Sequence, residues 1–247
     1  YYQWAGLQDV TSTSIYLDWS NCSYHTGTSY TTGWTKYNSV SSYGTVDKKT
    51  DLDLIDDVAH VQLGGKWRMP TDAEWTELRN NCTWTWTTQG GVKGYKVTSK
   101  KTGNSLFLPA AGYRYDTKRD YAGSVGYYRS SSPYTDDTRY AYGLRFGASY
   151  FERDYKYGYR YYGQSVRPIL DESLIPVTGV TVTPSTSSVE MFKTLQLTAA
   201  VQPTNATCKD VVWSSSDESV ASVSADGLVT ALLTGTVTIT ATADGGK

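Results

Sequence analysis

The residues able to do covalent or metal chemistry are few in this chain and badly placed for it. Cys22, Cys82 and Cys208 are its only cysteines, and His25 and His60 its only histidines. A nucleophilic thiolate needs a base or cation beside it, and a thiolate metal site needs several soft ligands. No cysteine lies between Cys82 and Cys208, so neither site can be built in that stretch. No spacing suggests a Ser/His/Asp arrangement. His60 follows an acidic run and reads as a surface or packing residue. Carboxylates gather at Asp51, Asp53, Asp56 and Asp57 and at Asp136–Asp137. Calcium takes roughly six to eight oxygens, so such groups read as solvated faces or helix N-terminal charges. The expectation is no catalytic residue, no metal and no cofactor, and a chain that is not an enzyme. Three cysteines are too few for a disulfide scaffold. A Cys22–Cys82 bridge and two separate buried thiols are equally compatible with the sequence.

The denser chemistry is that of recognition. Tyr113 to Pro168 holds 14 of the 22 tyrosines and eight arginines, with no tryptophan and no cysteine. Tyrosine offers a large, rigid, amphipathic contact at low entropy cost, and arginine a planar donor fork. Ser, Gly and Asp add adaptable polar contacts, which completes the composition of an antibody-like paratope. A core strand would instead be rich in Val, Ile and Leu, because a buried phenol must find a partner. The candidate ligand contacts are Tyr115, Arg119, Tyr121 and Arg129; Tyr134, Arg139, Tyr140, Tyr142 and Arg145; Ser149, Tyr150, Arg153 and Asp154; and Tyr155, Tyr157, Tyr159 and Tyr161. Those last four alternate, so a regular strand would place them on one face. Between Tyr113 and Tyr162 nine Lys and Arg meet six Asp and Glu. That excess is too small for a nucleic-acid footprint, although aromatic and basic residues interleave from Arg153 to Tyr162.

These contacts need a scaffold. The net charge of −1 gives no bulk attraction to nucleic acid or membrane. No apolar run approaches the roughly 20 residues of a membrane span. Residues 1–50 predict a strand near the start, around Ser14 to Leu17, and then long ordered loops. Leu54, Ile55 and Val58 predict a short helix over 51–60, capped by Thr50 or Asp51. Thr71 and Glu74 have the spacing of a capping box, which predicts a helix over 72–81 with Trp75, Leu78 and Cys82 on one face. Trp84 and Trp86 follow at strand spacing. Tyr95 to Thr98 and Leu106 to Leu108 read as a hairpin around Lys101-Thr102-Gly103-Asn104. Trp67, Trp75, Phe107, Phe146 and Val166 are the expected core.

The pieces WRMPTDAEWTEL, LFLPAAGYR and GQSVRPI, in that order, carry a resemblance. Residues 1–170 resemble the C-type-lectin-like fold shared with formylglycine-generating, sulfatase-modifying enzymes. More closely they resemble the "major paralogous" domain proteins of gut Bacteroidetes and their phages. The resemblance implies short helices, twisted antiparallel strands and long loops. The sugar-binding Glu-Pro-Asn and Gln-Pro-Asp signatures of calcium-dependent lectins are absent, as are the late cysteines of the oxidase branch. Some members of the resembled family are variable proteins of diversity-generating retroelements, which rewrite adenines, chiefly at Asn codons, in a C-terminal segment. The residues of 113–168 are mostly those such rewriting reaches; Lys118, Glu152 and Lys156 are not.

Residues 171–176 read as a linker. From Val177 the aromatics thin out and Val/Thr alternation predicts a β-sandwich with Trp213 as its plug. Residues 177–247 resemble a bacterial Ig-like group 2 domain that stops before its usual last edge strand. The fold class expected is therefore α+β for the first domain, followed by an all-β sandwich. The chain opens on Tyr1-Tyr2-Gln3-Trp4 and is expected to start inside a longer protein. Its expected role is receptor binding or adhesion, outside the cell, on a bacterial surface or a phage virion appendage. The expected partner is a protein or glycan on a cell surface, with no nucleic acid and no direct membrane insertion. A carbohydrate-binding adhesin without diversification is the alternative. The oligomeric state is open, a homotrimer being expected if the chain belongs to a phage fibre.

Overall fold

The computed structural model describes residues 1–154 and 158–243. Tyr155 and Tyr157 therefore lie outside the described residues. The chain is mostly β with a few short helices. It divides into two units, residues 1–59 with 68–169 and residues 60–67 with 170–247.

In the first unit, residues 1–50 hold isolated bridges and short 3-10 turns rather than the expected early strand. Of the Ser14–Leu17 piece, only Leu17 pairs, with Asp116. The helix expected over 51–60 is instead a 3-10 turn, Leu54–Asp56, followed by α1, Val58–Leu63. The break has a cause. Asp56 is buried and accepts from the hydroxyls of Tyr24 and Tyr37 and from Lys36 Nζ at 2.5 Å. Asp57 stays extended and accepts from the N–H groups of Ala59 at 2.8 Å and Met69 at 2.7 Å. These carboxylates are structural, not solvated, and the second caps α1 in place of Thr50 or Asp51. His60 is likewise buried, its Nδ1 3.0 Å from the Trp67 carbonyl.

The helix α2, Asp72–Asn81, forms as its sequence predicts. The Thr71 hydroxyl accepts from Glu74 N–H at 3.2 Å and the Glu74 carboxylate accepts from Thr71 N–H at 2.8 Å, so two orphan donors are satisfied. Arg68 grips the same carboxylate at 2.7 and 2.8 Å. This explains a correction. In the two-residue strand β1, Trp67–Arg68, the arginine turns toward Glu74, and Trp67 is 39% exposed rather than core. Trp75 and Phe146 are buried as expected, while Phe107 and Val166 are half-buried.

Three strands follow α2 as an antiparallel meander: β2, Cys82–Gln89; β3, Val92–Ser99; and β4, Ser105–Pro109. Trp84 and Trp86 share a face and pack with Tyr95, Val97, Leu108 and Phe146. A short hairpin joins β5, Tyr113–Tyr115, to β6, Lys118–Asp120. A second three-stranded sheet is β7, Val125–Pro133, β8, Ala141–Gly147, and β9, Tyr150–Asp154. A Cβ at Gly126 would fall 2.1 Å from the Phe146 ring, so β7 and β8 can pair there only with glycine. Residues 163–165 return to the centre, where Gly163 exchanges hydrogen bonds with Arg114, Gln164 with Tyr2, and Ser165 accepts from Arg129 N–H. No disulfide forms: all three cysteines are free, with Cys22 buried and Cys82 half-buried.

From β10, Ile169–Leu170, to Ala243 the regular elements are all strands. β11, Gly179–Thr183, pairs with β13, Thr198–Gln202; β12, Thr194–Gln196, joins β16, Leu228–Ala231, and β15, Ala221–Val223; and β14, Val211–Ser215, pairs with β17, Ile239–Ala243. Trp213 is half-buried against Leu197, Ala221 and Val229. Gly227, at φ +84°, lets the Trp213 ring approach, since a Cβ there would lie 3.0 Å from it.

Candidate binding face

Three arginines position the tyrosines, and all three are buried. Arg129 on β7 is 1% exposed. It donates from Nη1 to the Gly158 carbonyl at 3.2 Å, and from Nη2 to those of Tyr159 at 2.7 Å and Tyr162 at 2.6 Å. Arg160 donates to the carbonyls of Tyr140 at 3.2 Å and Tyr37 at 2.7 Å. Its guanidinium also lies 4.3 Å from the Trp4 ring and 5.2 Å from that of Trp34. Arg114 donates to Val10 at 2.6 Å, Ile15 at 2.9 Å and Asp116 at 3.0 Å, and to Ser12. Burial pulls the pKa of Arg129 and of Arg160 down to about 9, which leaves both cationic at neutral pH. Charge-assisted bonds to oriented carbonyls offset the cost of placing them there.

On this frame the tyrosine rings touch in an unbroken series. Tyr113 stacks with Tyr121 at 6.0 Å and with Tyr115 at 5.6 Å, and meets Tyr162 at 5.0 Å and Tyr127 at 4.9 Å. Tyr162 meets Tyr161 at 4.8 Å and Tyr159 at 5.2 Å, and Tyr159 meets Tyr140 at 4.3 Å. The series continues through Tyr134, 6.4 Å from Tyr140 and 5.2 Å from Tyr142, and ends where Arg153 lies 3.6 Å over the Tyr142 ring. A side branch runs from Tyr127 through Arg145, 5.7 Å away, to Tyr150, 5.1 Å beyond. Such ring pairs are each worth about 0.5–1.5 kcal/mol beyond area burial. Burial raises the pKa of Tyr140 and of Tyr161, so their hydroxyls remain protonated at neutral pH.

Eleven sequence-predicted contacts belong to this network: Tyr115, Tyr121, Tyr134, Arg139, Tyr140, Tyr142, Arg145, Tyr150, Arg153, Tyr159 and Tyr161. Tyr121 and Arg153 are exposed and the other nine half-buried, so the rings present edges rather than whole faces. Arg119 and Ser149 are exposed; Arg119 sits on the β5–β6 hairpin and Ser149 in the turn between β8 and β9. Two predicted contacts are corrected. Arg129 belongs to the frame, and Asp154, 5% exposed, raises the pKa of Arg129 through its charge rather than facing solvent. Tyr159 and Tyr161 do not lie on a regular strand: Tyr159 makes an isolated bridge to Tyr140, and Tyr161 lies in a turn. In place of a ladder, the Tyr159 carbonyl accepts from buried Arg129 at 2.7 Å and the Tyr161 carbonyl from Gln3 Nε2 at 3.1 Å.

Sequence reasoning missed the network's junctions. Tyr113, Tyr127 and Tyr162 lay within the segment but were not singled out. Tyr30 and Tyr43 come from the N-terminal loops, their rings 5.2 and 5.7 Å from Arg139. No local pattern marks these two, because only the fold brings them to Arg139. Among the described residues, no three His, Cys, Asp or Glu side chains gather as metal ligands.

Residues 176–247 match the bacterial Ig-like domain (group 2) family, and this part of the chain is such a domain. The chain is 41% identical over 80 residues, 32% of its length, to an Ig-like virion protein of Serratia phage KSP90, covering 31% of that protein. It is 61% identical over 49 residues, 20% of its length, to an alpha-L-arabinofuranosidase of Bifidobacterium longum subsp. longum, covering 5% of that protein. It is 44% identical over 82 residues, 30% of its length, to a 3-O-alpha-D-galactosyl-alpha-L-arabinofuranosidase of the same organism, covering 7% of it. The chain thus spans between 5% and 31% of the length of these curated relatives.

Proposed function

We propose that this chain is a receptor-binding or adhesion module, not an enzyme. Residues 1–170 form a C-type-lectin-like domain, the tyrosine–arginine face contacts the partner, and the Ig-like domain acts as a spacer. The observation that carries this reading is the unbroken ring network from Tyr121 to Arg153. Its junctions Tyr113 and Tyr127 are buried, Tyr121 is exposed and the remaining rings are partly exposed, and partly exposed aromatic rings in contact over such a length support an interaction surface. The module works outside the cell, on a bacterial surface or a phage virion appendage. The Ig-like domain and the likeness to a virion protein support that placement. The partner is a protein or glycan on a cell surface, and the segment 113–168 is diversified by a retroelement.

Two experiments test this. Fluorescently labelled full chain is applied to intact gut bacteria, alongside a variant with Tyr115, Tyr121 and Tyr142 changed to Ser. The native chain should label some strains and the variant none; equal labelling by both would sink the reading. Protease or periodate treatment of the cells, and a glycan array with and without chelator, then separate a protein partner from a sugar. Diversification predicts a reverse-transcriptase gene nearby and a near-copy of the 113–168 coding segment that differs at adenines. A locus with neither would reject it.

A further inference from the structure

Three arginines of the face that reach solvent are each held by a carboxylate and lie over tyrosine rings at the same time. Asp137 holds Arg139 at 2.8 and 3.1 Å through Nε. Glu152 holds Arg145 at 2.8 Å. Asp72 holds Arg153 at 2.8 Å through Nε and 2.7 Å through Nη2. The rings beneath are Tyr30, Tyr43 and Tyr140 for Arg139, Tyr127 and Tyr150 for Arg145, and Tyr142 for Arg153.

Stability gives little reason for these pairs. Ion pairs that solvent still reaches contribute about 0–1 kcal/mol each, and here the arginine side chains remain 22–44% exposed and their carboxylates 16–51%. Sequence proximity does not account for them all either, since Asp72 lies on α2, 81 positions from Arg153. Their common effect is on charge. Guanidinium groups interleaved with aromatic rings are the usual platform for single-stranded nucleic acid and other polyanions. Here the charge is cancelled at contact distance, and beyond a Debye length of about 8 Å little of it is felt.

We propose that Asp72, Asp137 and Glu152 set the specificity of the face. By neutralising Arg153, Arg139 and Arg145 they turn polyanions away and leave a ring-lined surface for an uncharged partner. This rests on reading the face as a binding surface. It is specificity by exclusion, achieved by removing an attraction that the wrong partner needs.

The test uses the full chain and an oligothymidine of about twenty nucleotides, followed by fluorescence anisotropy. The native chain should bind at least ~10-fold more weakly than the triple variant Asp72→Asn, Asp137→Asn, Glu152→Gln. Affinity of that variant should fall roughly 20-fold between about 50 and 200 mM salt, as three neutralised single-strand phosphates require. Native binding as tight as the variant's, or no gain in the variant, overturns the proposal. Because Asp72 opens α2, the double variant Asp137→Asn, Glu152→Gln is run beside it with thermal unfolding, and should lose roughly 7-fold over the same salt range. A double variant that stays folded and gains nothing also overturns it. Adding Tyr140→Ser and Tyr142→Ser to the double variant separates the two claims. If the gain survives loss of both rings, charge masking stands and the tyrosines are not the binding surface. If nothing is gained to begin with, masking fails and the binding reading is untouched.

Discussion

Arg129 donates from Nη2 to the carbonyl of Tyr162 at 2.6 Å, and the ring of that tyrosine packs 5.0 Å from Tyr113. One hydrogen bond thus joins a buried cation to the middle of the ring network. Replacing Arg129 by Met keeps the volume and strands carbonyls that the guanidinium now satisfies. Each stranded group costs about 1–3 kcal/mol, so a loss of about 3 kcal/mol or more is expected. Urea unfolding measures it, and amide exchange across residues 158–163 should lose its protection. A variant as stable as the native chain would show that these bonds do not hold the segment.

The face and the core should respond differently to truncation. Tyr121 is 54% exposed, and Tyr121→Ser should change stability by no more than about 0.5 kcal/mol. Trp75 is 5% exposed with its Nε1 donating to the Arg129 carbonyl at 3.0 Å. Trp75→Ala should cost about 3–5 kcal/mol through the cavity it leaves. Thermal unfolding of the two variants needs no ligand. Equal losses would make Tyr121 part of the core and remove the display argument.

Alkaline pH should unfold the first unit. Burial pushes Tyr24 and Tyr127 up to about 12, and raises Tyr37, Tyr113, Tyr128, Tyr140 and Tyr161, from an ordinary value of 10.0. Above pH 10 the unfolded chain loses these protons and the folded chain keeps them. The folded state then binds more protons, and stability falls as pH rises. Arg129 and Arg160 act in the opposite sense from about pH 9, but are fewer. Tyrosinate absorbance should therefore appear together with unfolding. Smooth ionisation near pH 10 with the fold intact would contradict the burial.

Glu74 predicts an acid-side effect. Burial raises its pKa, but bonds from Arg68 and Thr71 outweigh that and hold it below 4.5. Its contribution is present above about pH 4.5 and lost as pH falls through the lowered value. Glu74→Gln should cost about 1 kcal/mol at neutral pH, from the ion pair and the capping box together. The difference from the native chain should narrow as pH is taken from neutral to well below 4.5. A cost that is the same at both pH values would assign the effect to packing alone.

The parts of this fold that were legible in the sequence are those set by neighbours in the chain. α2 was readable because Thr71, Glu74, Trp75 and Leu78 specify a cap and a face within two turns. Trp84 and Trp86, two residues apart, gave the inner face of β2 for the same reason. What escaped was set across the fold. Asp56 and Asp57 read as helix charges, yet partners from Lys36 to Met69 draw them inward. The period of the tyrosines before Gly163 suits a strand, yet at Tyr159 and Tyr161 the carbonyls go to Arg129 and Gln3 instead of a ladder. Tyr30 and Tyr43 were invisible because no period connects them to Arg139.

The buried arginines have a consequence for heredity. Among the described residues, the hydrogen bonds that Arg129 and Arg160 donate around the face go to main-chain carbonyls, among them those of Gly158, Tyr159, Tyr162 and Tyr140. A carbonyl oxygen is the same atom whatever side chain its residue carries. Side chains at positions 140, 159 and 162 can therefore change without erasing the bonds that shape the backbone there. On the binding reading proposed above, a lineage could revise the rings of the face while the backbone that presents them is copied unchanged.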